Sequence, residues 1–238
     1  MYQSIIIPLL LIVILGSVGI FIISKKRPDQ AKQLWTKYFV YLLLMFLNIG
    51  LIVWDISIYF VFISVFWFIG LYEIYLITKN KKNLFLTSII IYFICGLLFY
   101  DFISSTNNNT ILFFYITILT LDAFSQIFGQ LMGKTKITSI SPAKTYEGLL
   151  GGIVMCIAVG FFISPLIEPN EQVLLITTSL IIGLVGFCGD ILASYLKRIA
   201  DVKDFSKFLP GQGGVLDRYD SWFVCGISFL VLQLFDII

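Results

Sequence analysis

Between Ser194 and Ser221 the chain carries five cations, Lys197, Arg198, Lys203, Lys207 and Arg218, among four carboxylates, Asp201, Asp204, Asp217 and Asp220. The run Pro210-Gly211-Gln212-Gly213-Gly214 lies between them. Arginine and lysine bind phosphate oxygens, and glycines let backbone amides come close to a ligand. Hard divalent cations prefer carboxylate oxygens, and magnesium typically takes one or two of them plus substrate phosphates. The chemistry on offer is phosphate and metal handling. Asp217 and Asp220 also fit a plainer role, capping and charging the N-terminus of a following helix.

A second segment, Gly133 to Gly148, reads G-K-T-K-I-T-S-I-S-P-A-K-T-Y-E-G. Ser141-Pro142 predicts an N-cap with proline at the first helical position. Lys144 and Thr145 would then sit in a first turn whose free amides favour phosphate. A basic loop at a membrane surface would look the same. Three further carboxylates, Glu73, Asp122 and Asp190, fall inside long apolar runs. Each costs roughly 2.5–3.5 kcal/mol at a bilayer centre unless it faces a polar cavity or a partner. Asp122 lies about 15 Å, ten residues at helical rise, from the nearer end of its run, too far to snorkel. It is expected to line a cavity. Gln126, Gly129 and Gly133 follow it at helical spacing, a stripe equally suited to helix packing. Glu73 sits near a run's end and fits a snorkelling role as well. Asp190, Ser194 and Lys197 share a helical face, which fits a site or ordinary interfacial charge.

The elements that must position these residues are membrane helices. Of 238 residues, 59% are apolar and 13% charged. That leaves too little polar surface to cover a water-soluble globule. Histidine is absent, which excludes a Ser-His-Asp triad and imidazole metal sites. Cys95, Cys156, Cys188 and Cys225 all lie in apolar runs without a CxxC pair, against zinc or a disulfide framework. Eight spans are expected, at about 4–23, 38–54, 56–78, 84–103, 110–132, 148–167, 172–195 and 221–238, with Trp54-Asp55 as the break between the second and third. The first reads as a retained helix rather than a cleaved signal peptide.

All sixteen lysines and arginines follow the odd-numbered spans: five after the first, three after the third, three after the fifth and five after the seventh. The alternate loops near Asp55, at 104–109 and at 168–171 hold none. The positive-inside rule then puts both termini outside and the loops at 24–37, 79–83, 133–147 and 196–220 in the cytoplasm. The fold class is an all-α polytopic integral membrane protein, one membrane domain over 1–238. Within it, residues 1–83 form the N-terminal helices, and 110–238 carry the chemistry.

The stretch from Gly189 to Ser221 resembles the signature of the phosphatidate cytidylyltransferases, also called CDP-diacylglycerol synthases. That pattern is met by Ser194, Lys197, Arg198, Lys203, Asp204, Ser206, Pro210, Gly213, Gly214, Asp217, Arg218 and Asp220. A second block resembles the family at Asp122, Phe128-Gly129, Gly133-Lys134 and Ser141 to Gly148, and Glu73-Ile74-Tyr75 is a weaker element. Two positions depart: Gln212 stands where the family has histidine, and Tyr219 where it has an aliphatic residue.

The resemblance implies a magnesium-dependent nucleotidyltransferase that moves CMP from CTP to phosphatidic acid, giving CDP-diacylglycerol and pyrophosphate. It implies Mg2+ on Asp190 and Asp217, with room for a second cation near Asp122 or Asp220. Lys197, Arg198, Lys203 and Arg218 would bind phosphates, with Asp204 beside them. Ser141, Lys144, Thr145, Glu147 and Gly148, together with Ser194, Gln212, Gly213 and Gly214, would contact substrates. The expected partners are CTP, a phospholipid, the bilayer and a second copy of the chain, with no nucleic acid. The expected location is a bacterial inner membrane, with the site facing the cytoplasm. Gln212 raises a different lipid substrate, ether or lyso. The intramembrane acids and Gly183, Gly186 and Gly189 raise an ion-coupled transporter with a broken helix.

Overall fold

A computed structural model of the chain describes residues 2–164, 172–235 and 237. The helices are α1 (Tyr2–Lys26), α2 (Ala31–Trp54), α3 (Ile56–Thr78), α4 (Lys82–Ser105), α5 (Asn108–Met132), α6 (Tyr146–Ile163), α7 (Gln172–Ile199), α8 (Leu216–Phe223) and α9 (Cys225–Leu234). Among the described residues there is no strand, only two isolated bridges, Lys136 with Thr145 and Leu209 with Gly213. Helices satisfy every interior backbone group within the segment, which a bilayer demands. Seven of them, α1 to α7, are long and apolar enough to cross a membrane.

The helix ends follow local chemistry. Asp55 ends α2 in extended geometry and caps α3, accepting from the Ser57 amide at 2.7 Å. Asn107 caps α5 through the Thr110 amide at 2.8 Å. Two expectations change. The predicted loop at 24–37 shrinks to a tight turn around Pro28–Gln30, because α1 and α2 extend through their basic ends. Lys32 and Lys37 are therefore helical. The predicted span 221–238 is two short helices: α8 starts earlier, at Leu216, and the chain breaks at Val224. Packing explains the break. Trp222 is buried among Phe99, Phe102 and Tyr115, and Gly226 lies against the Leu98–Phe99 backbone, where a side chain has no room. The outer loop expected at 168–171 lies outside the described residues.

Helix α5 is the centre. About 61% of its apolar window is buried, against 22–33% for the other spans. It packs on α1, α2, α6, α7 and α8. The basic loops meet at one end of this bundle. Lys81 pairs with Asp201 at 2.7 Å, and Arg198 donates to the Ile140 carbonyl at 3.1 Å. At the other end the Asn108 amide donates to the Ile52 carbonyl at 3.0 Å. The cation-rich loops thus share one end, and the two described cation-free turns, near Asp55 and Asn107, share the other, as the charge pattern predicts.

Candidate functional site

The loop from Ala200 to Val215 is tied down by two buried carboxylates. Glu73, on α3, accepts from Val215 N at 2.9 Å, Leu216 N at 2.8 Å and Ser206 Oγ at 2.6 Å. It thereby caps α8 from a distant helix, occupying the free amides that every helix start leaves. Asp217 accepts from Lys197 Nζ at 2.5 Å, Phe205 N at 2.9 Å and Gly214 N at 2.8 Å. Its side chain is only 3% exposed. The glycines serve this junction. Gly213 has φ +93°, and Gly214 faces the Glu73 carboxylate where a Cβ would collide.

The Gly133–Gly148 loop differs from the expected cap. Ile137 N bonds Lys144 O and Tyr146 N bonds Thr135 O, both at 3.0 Å, so the backbone at 144–145 is extended. The helix cannot begin until Tyr146. Its cap is Thr145, whose hydroxyl accepts from Gly148 N at 3.1 Å, while Ser141 accepts the Lys144 amide in a turn. Glu147 accepts the Lys134 and Thr135 amides, each at 3.1 Å, and so clamps its own loop. Gly129, Gly133 and Gly148 bring α5 against α6 and its cap; a Cβ on Gly148 would lie 2.7 Å from Ser125 O. That part of the stripe below Asp122 is helix packing.

Asp122, Asp190 and Asp220 are held differently. Ser221 Oγ approaches Asp122 at 3.5 Å, Asp220 accepts the next residue's amide at 2.8 Å, and Asp190 pairs with Lys144 at 2.7 Å. The three charges act on one another. Gly189 lets α7 approach α8; a Cβ there would sit 3.2 Å from the Asp220 carbonyl. The Asp190 side chain is 35% exposed. Lys144 and Lys197 are set alike, each paired with an acid and each 5.1 Å from an aromatic ring centroid, Phe187 and Phe205. Among the described residues no three acidic or thiol side chains converge as a metal cage. Magnesium needs only one or two carboxylates when phosphates and water complete its shell. Asp190 and Asp220 fit that donor set, whereas Asp217 has its oxygens taken by protein donors.

Beside these acids lies a cavity of about 430 Å³ between α1, α2, α5 and the α7–α8 loop. Asp122, Lys203, Asp204, Gln212, Gly213 and Arg218 line it, as the sequence placed them together. Ser194 is buried on α7, Arg198 bridges the two loops, and Lys197 holds Asp217, so these three build the mouth without lining the cavity. Sequence reasoning missed Lys37, read only as a topogenic charge, and missed that α1 and α2 form a wall. The signal available was its place next to Tyr38 and Tyr41, polar-tipped residues inside a run that should face lipid. Tyr219, the second departure, places its hydroxyl 2.8 Å from the Asn48 amide, so the buried phenol is satisfied from α2. Helix α7 runs unbroken through Gly183, Gly186 and Gly189, so the broken-helix feature that raised a transporter is absent from it.

Fold and site together define a helical integral membrane protein with a cation-lined mouth at one end. The chain belongs to the cytidylyltransferase family, whose model matches residues 2–235. It is similar to the phosphatidate cytidylyltransferase of Helicobacter pylori (strain J99), 38% identical over 125 residues, 52% of this chain and 47% of that protein. It is also similar to that of Staphylococcus haemolyticus, 36% identical over 129 residues, 53% and 50% of the two chains. The uncharacterized protein YnbB of Escherichia coli K12 is 42% identical over 101 residues, 42% and 34% of the two. The matched stretches thus span a third to a half of these relatives' lengths.

Proposed function

We propose that the protein transfers CMP from CTP to phosphatidic acid, releasing pyrophosphate and CDP-diacylglycerol. The observation that carries this reading is the cavity: Lys203 and Arg218, neither in an ion pair among the described residues, line one space with Asp122, walled by membrane helices. Similarity to proteins named phosphatidate cytidylyltransferase supports the choice of substrates. By the positive-inside rule the mouth faces the cytoplasm of a bacterial inner membrane, where CTP is soluble and the lipid tails stay in the bilayer.

The attacking group is a phosphate oxygen of the lipid, already anionic, and it displaces pyrophosphate from the CTP α-phosphorus in line. No strong base is needed, which suits a chain without histidine. The protein must align two polyanions and offset their repulsion. Lys203 and Arg218 bind phosphates, arginine through two parallel bonds. Lys144, paired with Asp190 at the edge of the Ser141–Gly148 loop, would bind the nucleotide. Asp190 and Asp220 would hold magnesium, with Asp122 beside them. When bound, the ion supplies charge neutralisation at the transferring phosphate. Lys197, Asp217 and Glu73 hold the loop rigid.

Purified protein in mixed micelles with CTP and magnesium should release pyrophosphate when phosphatidic acid is added, and less with ether or lysophospholipids. No release with any lipid would refute the transfer reaction. Preferential release with another lipid would refute the substrate alone. Nothing in the site favours that outcome: the Gln212 amide donates to the Lys37 carbonyl, a contact within the protein.

A further inference from the structure

Lys37 lies on α2, outside every matched motif, yet the α7–α8 loop is built against it. The Gln212 side-chain amide donates to the Lys37 carbonyl. Gly211, at φ +72°, packs over its stem, so that a Cβ there would sit 3.3 Å from Lys37 Cγ. The residue is half-buried and lines the cavity with Lys203 and Arg218, whose charges act on it together with that of Asp204. The ion pairs among the described residues are Lys81–Asp201, Lys144–Asp190 and Lys197–Asp217, so these three cations share a cavity without a carboxylate in contact. The three cations outnumber the two carboxylates of the same lining, Asp122 and Asp204, and a bound anion offsets the excess.

The rest of the cavity says which anion. Its wall also includes Ile12, Ile20 and Ile23 of α1, Leu44 and Met45 of α2, and Ile118 of α5. A soluble triphosphate has no use for such a wall, whereas an acyl chain does. Gln33, Gln126 and Gln130 add neutral hydrogen-bonding groups to the same lining.

We infer that Lys37 binds the phosphate monoester of the lipid substrate, so that α1 and α2 form the lipid half of the active site. This rests on the cytidylyltransferase reading, and the shared chemistry, a phosphate group, could also come from CTP. Lys37→Met removes the charge and keeps the stem, and the Gln212 bond survives because it uses the backbone carbonyl.

Two measurements decide the matter: KM for phosphatidic acid and for CTP in mixed micelles, and direct binding of radiolabelled phosphatidic acid without CTP. Lys37→Met should weaken phosphatidic acid in both about tenfold or more, the loss expected of one charge-assisted hydrogen bond. KM for CTP should stay within twofold, and Lys37→Arg should restore most of the lipid affinity. Unchanged phosphatidic acid binding, or an equal rise in KM for CTP, would overturn the assignment. A fall in kcat alone, with both KM values unchanged, would do the same and make Lys37 a loop support. If the wild type binds phosphatidic acid through Lys37 but releases no pyrophosphate, the lipid site stands and the transfer reaction falls.

Discussion

Glu73 and Asp217 each receive three donors from the protein. By contrast, Asp122, Asp190 and Asp220 receive one apiece among the contacts described: a distant hydroxyl, a lysine and a neighbouring amide. All five are acids in or against apolar helices, and four of them sit at positions of the matched motifs. A buried carboxylate with three of its roughly four acceptor sites used is a fastener, and removing it strands its donors. One with spare lone pairs and like charges nearby is built to receive something. The motif therefore divides between residues that shape the mouth and residues that meet the ligand, and residue type alone does not separate them.

The largest effect should come from the open set. Asp190→Asn and Asp220→Asn should each lower magnesium-dependent turnover at least a hundredfold, about 3 kcal/mol or more, with melting temperature unchanged. Turnover within tenfold of wild type would remove the distinction between the two sets. A double variant of Asp190 and Asp217 that is no worse than either single one would instead restore the ion shared by those two residues, as expected from sequence.

The fastened set should answer in stability. Glu73→Ala strands two amides and a hydroxyl and uncaps α8, which should cost about 3 kcal/mol. Thermal unfolding in detergent measures it; a shift of a degree or less would mean that water replaces the carboxylate. The Lys197–Asp217 pair refines this. Breaking either partner leaves a buried charge, so Lys197→Met and Asp217→Asn should each destabilise, and the double variant should fall short of their sum by about 1–3 kcal/mol. Simple additivity would place the pair in solvent-like surroundings.

The smallest effect is expected at Gln212. An imidazole can also donate to the Lys37 carbonyl, so Gln212→His should leave turnover nearly unchanged and add no limb to the pH profile at about pH 6–7. A new limb there would move residue 212 from the fasteners to the chemistry.

By itself the sequence determined the solvent, the helices and the end of the bundle at which the cation-rich loops gather. Those follow from local facts: apolar runs of crossing length, cations confined to alternate loops, and a motif dense enough to mark one mouth. The breaks at Trp54-Asp55 and at 104–109 were legible as polar interruptions of apolar runs, and there Asp55 and Asn107 cap amides two or three residues on. The sequence misplaced the start of α6, since the extended Lys144–Thr145 backbone depends on pairing with residues 135–137. It also drew one final span where core packing makes two helices. Only the tertiary structure decided which acids collect several donors, because most of those donors come from afar: Val215 reaches Glu73 across 142 residues, and Ser206 reaches it across 133. A carboxylate's role is set by the hydrogen bonds left over after folding, and that remainder is a property of the packed bundle rather than of any stretch of chain.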